Sequence, residues 1–158
     1  MSTVSRAVEL PLNQLDTYDT VFLDETRPDA PALGYIDQTL LPHRLVVRTI
    51  SQLDDMVRAI KRLEVRGAPA LGVSAAIGVY AVSWQLAHNA QDVSNTGVLP
   101  QIEAACDALA NARPTAVNFS WAVEHMRRAA RGCACESLDR LLAALRREAV
   151  TIRDEDVE

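Results

Sequence analysis

Apolar positions change their rhythm at residue 51. Before it they come in short runs cut by Pro11, Pro28, Pro31 and Pro42. Three of these runs have strand character: Thr20 to Leu23, Leu33 to Ile36 and, rich in β-branched residues, Leu45 to Ile50. They predict a small antiparallel sheet. From Ser51 the spacing is helical. Leu53, Met56, Val57, Ile60 and Leu63 share one face. Ser51 suits the N-cap there, and Asp54 and Asp55 complement the positive helix end. After a break at Val65-Arg66-Gly67-Ala68-Pro69, a second helix runs from Ala70 to His88. Pro100 opens a third, carried by Ile102, Ala105 and Leu109. A fourth, on which Val117, Trp121 and Met126 sit, stops near Gly132. Ser137 caps a fifth, marked by Leu138, Leu141, Leu142, Leu145 and Ala149. The fold class is therefore α+β and mostly helical. A β-rich subdomain over 1–50 precedes a bundle of about five helices over 51–152, and an acidic linker over 153–158 ends the chain.

Between Gly67 and Ala87 there is no charge, and the stretch is long enough to span a bilayer. Its glycines, serines and alanines replace the Leu, Ile and Phe that drive insertion. Small residues let neighbouring helices approach, so the core helix of a bundle is the better reading, with no membrane partner. Composition agrees: 158 residues, 49% apolar and 23% charged, describe one globular domain with a sizeable core. A net charge of −5 disfavours an electrostatic grip on nucleic acid. The first twelve residues lack the apolar core of a leader peptide, so the expected compartment is the cytoplasm. Cys106, Cys133 and Cys135 then read as reduced thiols on or near helix ends. The one-residue spacing of Cys133 and Cys135 suits neither a zinc knuckle nor a redox pair.

Two arginines stand out. Arg66 and Arg113 each lie just before an expected helix start, where unpaired N–H groups and a partial positive charge already gather. A cation there is unfavourable by about 0.3–1 kcal/mol unless something negative joins it. A bound phosphate would satisfy guanidinium and N–H groups together. Gly67 permits close backbone approach, and Pro69 suits an early helical position. The competing reading pairs Arg66 with Glu64 or leaves it in solvent, and treats Arg113 likewise.

Arg66-Gly67-Ala68-Pro69-Ala70-Leu71-Gly72 resembles the signature of S-methyl-5-thioribose-1-phosphate isomerases, within the superfamily of the regulatory subunits of translation initiation factor 2B. Asp37-Gln38-Thr39-Leu40-Leu41-Pro42 is similar to an upstream motif of that family, and Ala112-Arg113-Pro114-Thr115-Ala116-Val117-Asn118 to a third. The resemblance covers roughly 33–150. It implies an aldose–ketose isomerase of methionine salvage, converting 5-methylthioribose 1-phosphate to 5-methylthioribulose 1-phosphate. It also implies that Arg66, Gly67, Ala68 and Arg113 bind the phosphosugar, with no metal and no organic cofactor. Family members are longer. Their catalytic cysteine and aspartate lie in a Rossmann-like C-terminal half, which the resemblance implies is absent here. This chain then carries no catalytic residue, is inactive alone, and partners that half in cis or in trans, with a homodimer possible. None of its three cysteines lies in the family's cysteine motif. Phe119-Ser120 departs from the family pattern beside Trp121.

Two alternatives stay open: a regulatory or binding module on the same scaffold, and a ribose 1,5-bisphosphate isomerase, which asks for a second phosphate site. Asp37 and Gln38 either face a pocket mouth or, the favoured reading, cap or orient a turn. Asn118 is either a substrate contact or a polar residue on a helix face. His43, His88 and His125 suggest no metal site.

Overall fold

The computed structural model describes residues 5–26, 30–89, 95–133 and 136–156. Pro28, Cys135, Val157 and Glu158 lie outside them. Among the described residues, strands β1 (Arg6–Leu10), β2 (Val21–Asp24), β3 (Ala32–Ile36) and β4 (Leu45–Ile50) are followed by helices α1 (Leu53–Lys61), α2 (Ala68–Asn89), α3 (Asn95–Ala112), α4 (Val117–Gly132) and α5 (Leu138–Asp156). A 3-10 helix, Leu12–Thr17, follows β1.

The strands form one antiparallel sheet in the order β1-β4-β3-β2. β4, the run richest in β-branched residues, takes a central place. β1 was not expected from the sequence, because all its residues but Leu10 are exposed and leave no strong apolar alternation. It is an edge strand, recruited by main-chain pairing with β4 from Arg6↔Thr49 to Leu10↔Leu45. One sheet face carries Leu33, Tyr35 and Ile50 into the main core. The other holds a small cluster of Ile36, Leu45 and Val47, covered by Leu10, Phe22 and Leu41.

Helix α2 is the hub, packed by α3, α4 and α5 and by strands β2 and β3. A helix buried all round must be apolar all round, which explains its lack of charge. It is long and apolar enough to cross a membrane, but 83% of its apolar window is buried inside the fold. Gly72 brings it close to α4: a Cβ there would sit 3.5 Å from the Asn118 carbonyl oxygen. Between α3 and α4, Arg127 spans Glu103 at 2.6 Å and Asp107 at 2.7 Å.

Several expectations need correction. Gln52, not Ser51, is the N-cap of α1, and Ser51 is buried instead. Pro100 sits inside α3 rather than opening it, because fully buried Val98 draws the preceding turn into the core. Leu63 does not continue the apolar face of α1. The helix ends at Lys61, and Leu63, with φ of 62°, turns the chain and stays 40% exposed. Cys106 is not near a helix end. It is buried within α3, and burial pushes its thiol up to about 11. Ser137 does cap α5, accepting from the Arg140 N–H at 3.3 Å. The acidic tail continues α5 as far as Asp156.

The turn after β3 is built on one buried carboxylate. Asp37, 1% exposed, accepts from the Thr39 N–H at 3.0 Å, from the Thr39 hydroxyl at 2.6 Å and from Arg48 Nε at 2.8 Å. Burial alone would raise its pKa, but the bonds from Thr39 and Arg48 outweigh that and hold the carboxyl below its usual range. Arg48 also faces Glu64 at 3.7 Å, and Glu64 accepts the Tyr35 hydroxyl at 3.0 Å. The Gln38 N–H donates to the Glu64 carbonyl at 2.9 Å. The turn thus braces the segment that carries Arg66.

Two outcomes follow from these contacts. Phe22 lies over Gly34 across the β2–β3 pair, and a Cβ at Gly34 would fall 2.2 Å from the ring. Gly34→Ala should therefore cost about 1–3 kcal/mol, read as a lower urea midpoint at unchanged m-value. Asp37→Asn should cost about 2 kcal/mol near neutral pH, because it weakens the bonds of a charged pair whose acid is buried. A lowered carboxyl confers stability that is complete above the unfolded pKa, near ~3.9. That stability drains away as pH falls through the folded value. The variant's melting temperature should accordingly fall less steeply than the parent's below about pH 4.

Candidate functional site

Where α2 and α4 begin, their first turns open on one cavity of about 450 Å³. Leu63, Arg66, Gly67 and Ala68 line one side, and Arg113, Thr115, Val117 and Asn118 the other. The structure thus brings together two segments separated by more than forty residues, and all four residues expected to bind a phosphosugar lie on the cavity wall.

The local reasons are legible. Gly67 has φ of 92°, a conformation that L side chains rarely adopt. Its carbonyl accepts the first α-helical bond of α2, from the Leu71 N–H at 2.9 Å. The N–H groups of Gly67, Ala68 and Ala70 therefore precede the helix ladder, and Pro69 has no N–H to lose. In α4 the first such bond runs from the Ser120 N–H to the Ala116 carbonyl at 3.0 Å, so the N–H groups of Val117, Asn118 and Phe119 precede it. Arg113 lies in the turn before α4, closed by the Ala116 N–H on the Arg113 carbonyl at 3.1 Å.

The charge around the cavity is one-sided. Neither α2 nor α4 has an acidic residue in its first turn, whereas α1 has Asp54 and Asp55 and α5 has Asp139. The lining contains two guanidinium groups and no carboxylate, in a chain whose net charge is −5. Glu64 does not neutralise Arg66, because it turns to Tyr35 and Arg48. Arg66 donates through Nε to the Leu63 carbonyl at 3.3 Å. Among the described residues no carboxylate pairs with Arg66 or Arg113. Both helix ends favour negative charge, each by about 0.3–1 kcal/mol, and the guanidinium groups add fork-shaped donors suited to a phosphate. Such a lining is chemically suited to an anion, and the cavity is called the cradle below.

Asn118 lines this cavity at the start of α4. Asp37 and Gln38 do not reach it. They brace the loop from behind, as a turn-orienting pair would. His88 stacks on Trp84, ring centroids 3.6 Å apart, at the far end of α2. Val117 and Trp121 stand on α4 as expected, and both are open to solvent, 78% and 48% exposed. Together with Pro69, Val73 and Ile152 they border a second hollow that shares Val117 and Asn118 with the first. Their spacing of four residues placed them correctly on one helix face; nothing in that spacing distinguishes a covered face from an open one.

The sequence model of the initiation factor 2 subunit family matches residues 64–158, which includes both helix starts. A methylthioribose-1-phosphate isomerase from Gemmatimonas aurantiaca is 45% identical over 130 residues, covering 82% of this chain and 36% of that protein. A 5-deoxyribose 1-phosphate isomerase from Moorella thermoacetica is 40% identical, covering 77% and 33%. Among solved structures, 5-methylthioribose 1-phosphate isomerase from Pyrococcus horikoshii superposes with a TM-score of 0.75 at 31% identity, over 86% of this chain and 36% of that one. Subunit delta of the translation initiation factor eIF-2B from A. fulgidus also gives 0.75, at 33% identity, over 87% and 37%. The matched region is thus about a third of the length of these relatives. With its helical half matched by the family model and its fold shared with an isomerase and an initiation-factor subunit, the chain belongs to the initiation factor 2 subunit family.

Proposed function

We propose that this chain is the N-terminal, phosphosugar-binding part of an aldose–ketose isomerase acting on 5-methylthioribose 1-phosphate. The observation that carries the reading is the carboxylate-free cavity at the mouths of α2 and α4 that both Arg66 and Arg113 line. An aldose 1-phosphate has its anomeric carbon blocked by the phosphate, so an isomerase must hold that group while hydrogen moves between C1 and C2. The cradle does the holding. Arg66 and Arg113 supply charge, the N–H groups around Gly67, Ala68 and Asn118 supply directed bonds, and Gly67 keeps side-chain bulk away from the anion.

The hydrogen transfer itself needs an acid–base pair at C1 and C2, and the cavity wall offers none. We assign that chemistry to a C-terminal half, which in longer relatives would close over the cradle. On this division the 158-residue chain binds but does not turn over, and the added half restores isomerisation. Pairing of two such proteins into a homodimer is compatible with it.

The likeness to an initiation-factor subunit, equal in TM-score to the likeness to an isomerase, favours one second reading. In it the same cradle senses a sugar phosphate or nucleotide without converting it. Titration calorimetry with 5-methylthioribose 1-phosphate and with nucleoside monophosphates separates the two by preference.

Arg66→Ala and Arg113→Ala should each weaken binding of 5-methylthioribose 1-phosphate by about 1.5–3 kcal/mol, the scale of a charge-assisted hydrogen bond. Melting temperatures should stay near the parent value, because both side chains border a cavity rather than fill the core. Unchanged affinity in either variant removes that arginine from the site.

A further inference from the structure

A further cavity, of about 180 Å³, lies between the sheet and α1. It shares no lining residue with the cradle. One loop separates the two: Arg62 and Glu64 line this cavity, whereas Leu63 and Arg66 line the cradle. On the sheet side, Ala7, Arg48 and Tyr35 form one row across β1, β4 and β3. The small side chain of Ala7 leaves room beside Arg48. On the other side stand Asp55, Arg58 and the C-cap Arg62 of α1.

The charges there do not cancel. Both carboxylates of the lining are engaged. Glu64 accepts the Tyr35 hydroxyl at 3.0 Å and faces Arg48 at 3.7 Å, and Asp55 faces Arg58 at 3.4 Å. Among the described residues no carboxylate pairs with Arg62, and Arg6 adds a further cation at the border. Arg58 and Arg62 are four residues apart, a spacing at which like charges repel. The negative end of α1 accounts for the gathering of Arg58, Lys61 and Arg62. It does not account for the opening of Arg58 and Arg62, together with Arg48 from the sheet, onto one cavity that Lys61 does not line.

We infer that this cavity is a second anion site, separate from the cradle, and that Arg48, Arg58 and Arg62 hold a compact phosphate group in it. Three guanidinium forks suit a dianion with several acceptor oxygens better than a single carboxylate. The Ser5 hydroxyl is a further donor on the border. The small volume admits a phosphate with little attached to it. Its two sources are free inorganic phosphate and a monoester whose remainder stays outside. The inference does not rest on the phosphosugar reading.

Titration calorimetry with inorganic phosphate, and separately with methyl phosphate, tests this in the double variant Arg66→Ala with Arg113→Ala, whose cradle has lost both guanidinium groups. One site should remain. In that background Arg62→Ala should weaken phosphate binding about tenfold. Ala7→Leu, which places bulk beside Arg48, should weaken it about fivefold. Lys61→Ala removes a cation from the same helix end but not from the cavity, and should change binding less than about twofold. Residues 7, 61 and 62 are exposed, so every variant should melt near the temperature of the double variant. Tighter binding of methyl phosphate supports the site and assigns it to a monoester; tighter binding of inorganic phosphate supports it and assigns it to the free anion. Absence of binding by the double variant overturns the second site. Equal weakening by Arg62→Ala and Lys61→Ala does so too, because it is the mark of a diffuse field rather than a built site. The phosphosugar reading stands or falls separately, on binding of 5-methylthioribose 1-phosphate by the parent.

Discussion

Two helices that begin at the same place without a carboxylate between them set the terms for this molecule. A helix start carries unpaired N–H groups and a partial positive charge. Proteins ordinarily answer it with an acidic residue in the first turn, and α1 and α5 do so with Asp54, Asp55 and Asp139. α2 and α4 do not, and each is preceded by an arginine that lines the shared cavity. The arrangement is electrostatically unfinished. On the proposed function, an anion completes it.

Keeping that meeting point in place falls to residues that never touch it. Asp37 orders the turn after β3 and holds Arg48; Arg48 and Tyr35 engage Glu64; the Glu64 carbonyl takes the Gln38 N–H. By occupying Glu64, this network removes the carboxylate nearest in sequence to Arg66. It thereby positions the loop and preserves its charge.

Much of this could be read before any coordinates. The β-branched run of β4, the uncharged hub helix and the Arg66-Gly67-Ala68-Pro69 break each follow from a local rule, and each stands where the rule puts it. The departures share a cause: tertiary contacts outweighed a local preference. β1 exists through its partner's hydrogen bonds rather than its own pattern. Buried Val98 carries α3 past the proline expected to start it. Leu63 leaves the apolar face of α1 because the chain must reverse into the Glu64–Gly67 segment, and a left-handed residue makes that turn. The convergence of Arg66 with Arg113 lies beyond any local rule. It is a property of how α2 packs on α4, more than forty residues apart in sequence.

The same geometry explains why exposed apolar side chains sit beside the most polar cavity. α4 starts at the cradle, so the residues of its first two turns that do not face α2 must border whatever the cradle holds. Val117 and Trp121 occupy those positions, four residues apart on one face. The α5 face carrying Glu148 and Ile152 runs alongside and supports the Trp121 ring through His125. A side chain large enough to fill the hollow from within would also crowd the cradle. Val117 and Trp121 stay open while Phe119, Ala122, Val123, Met126 and Ala130 of the same helix are buried in the core.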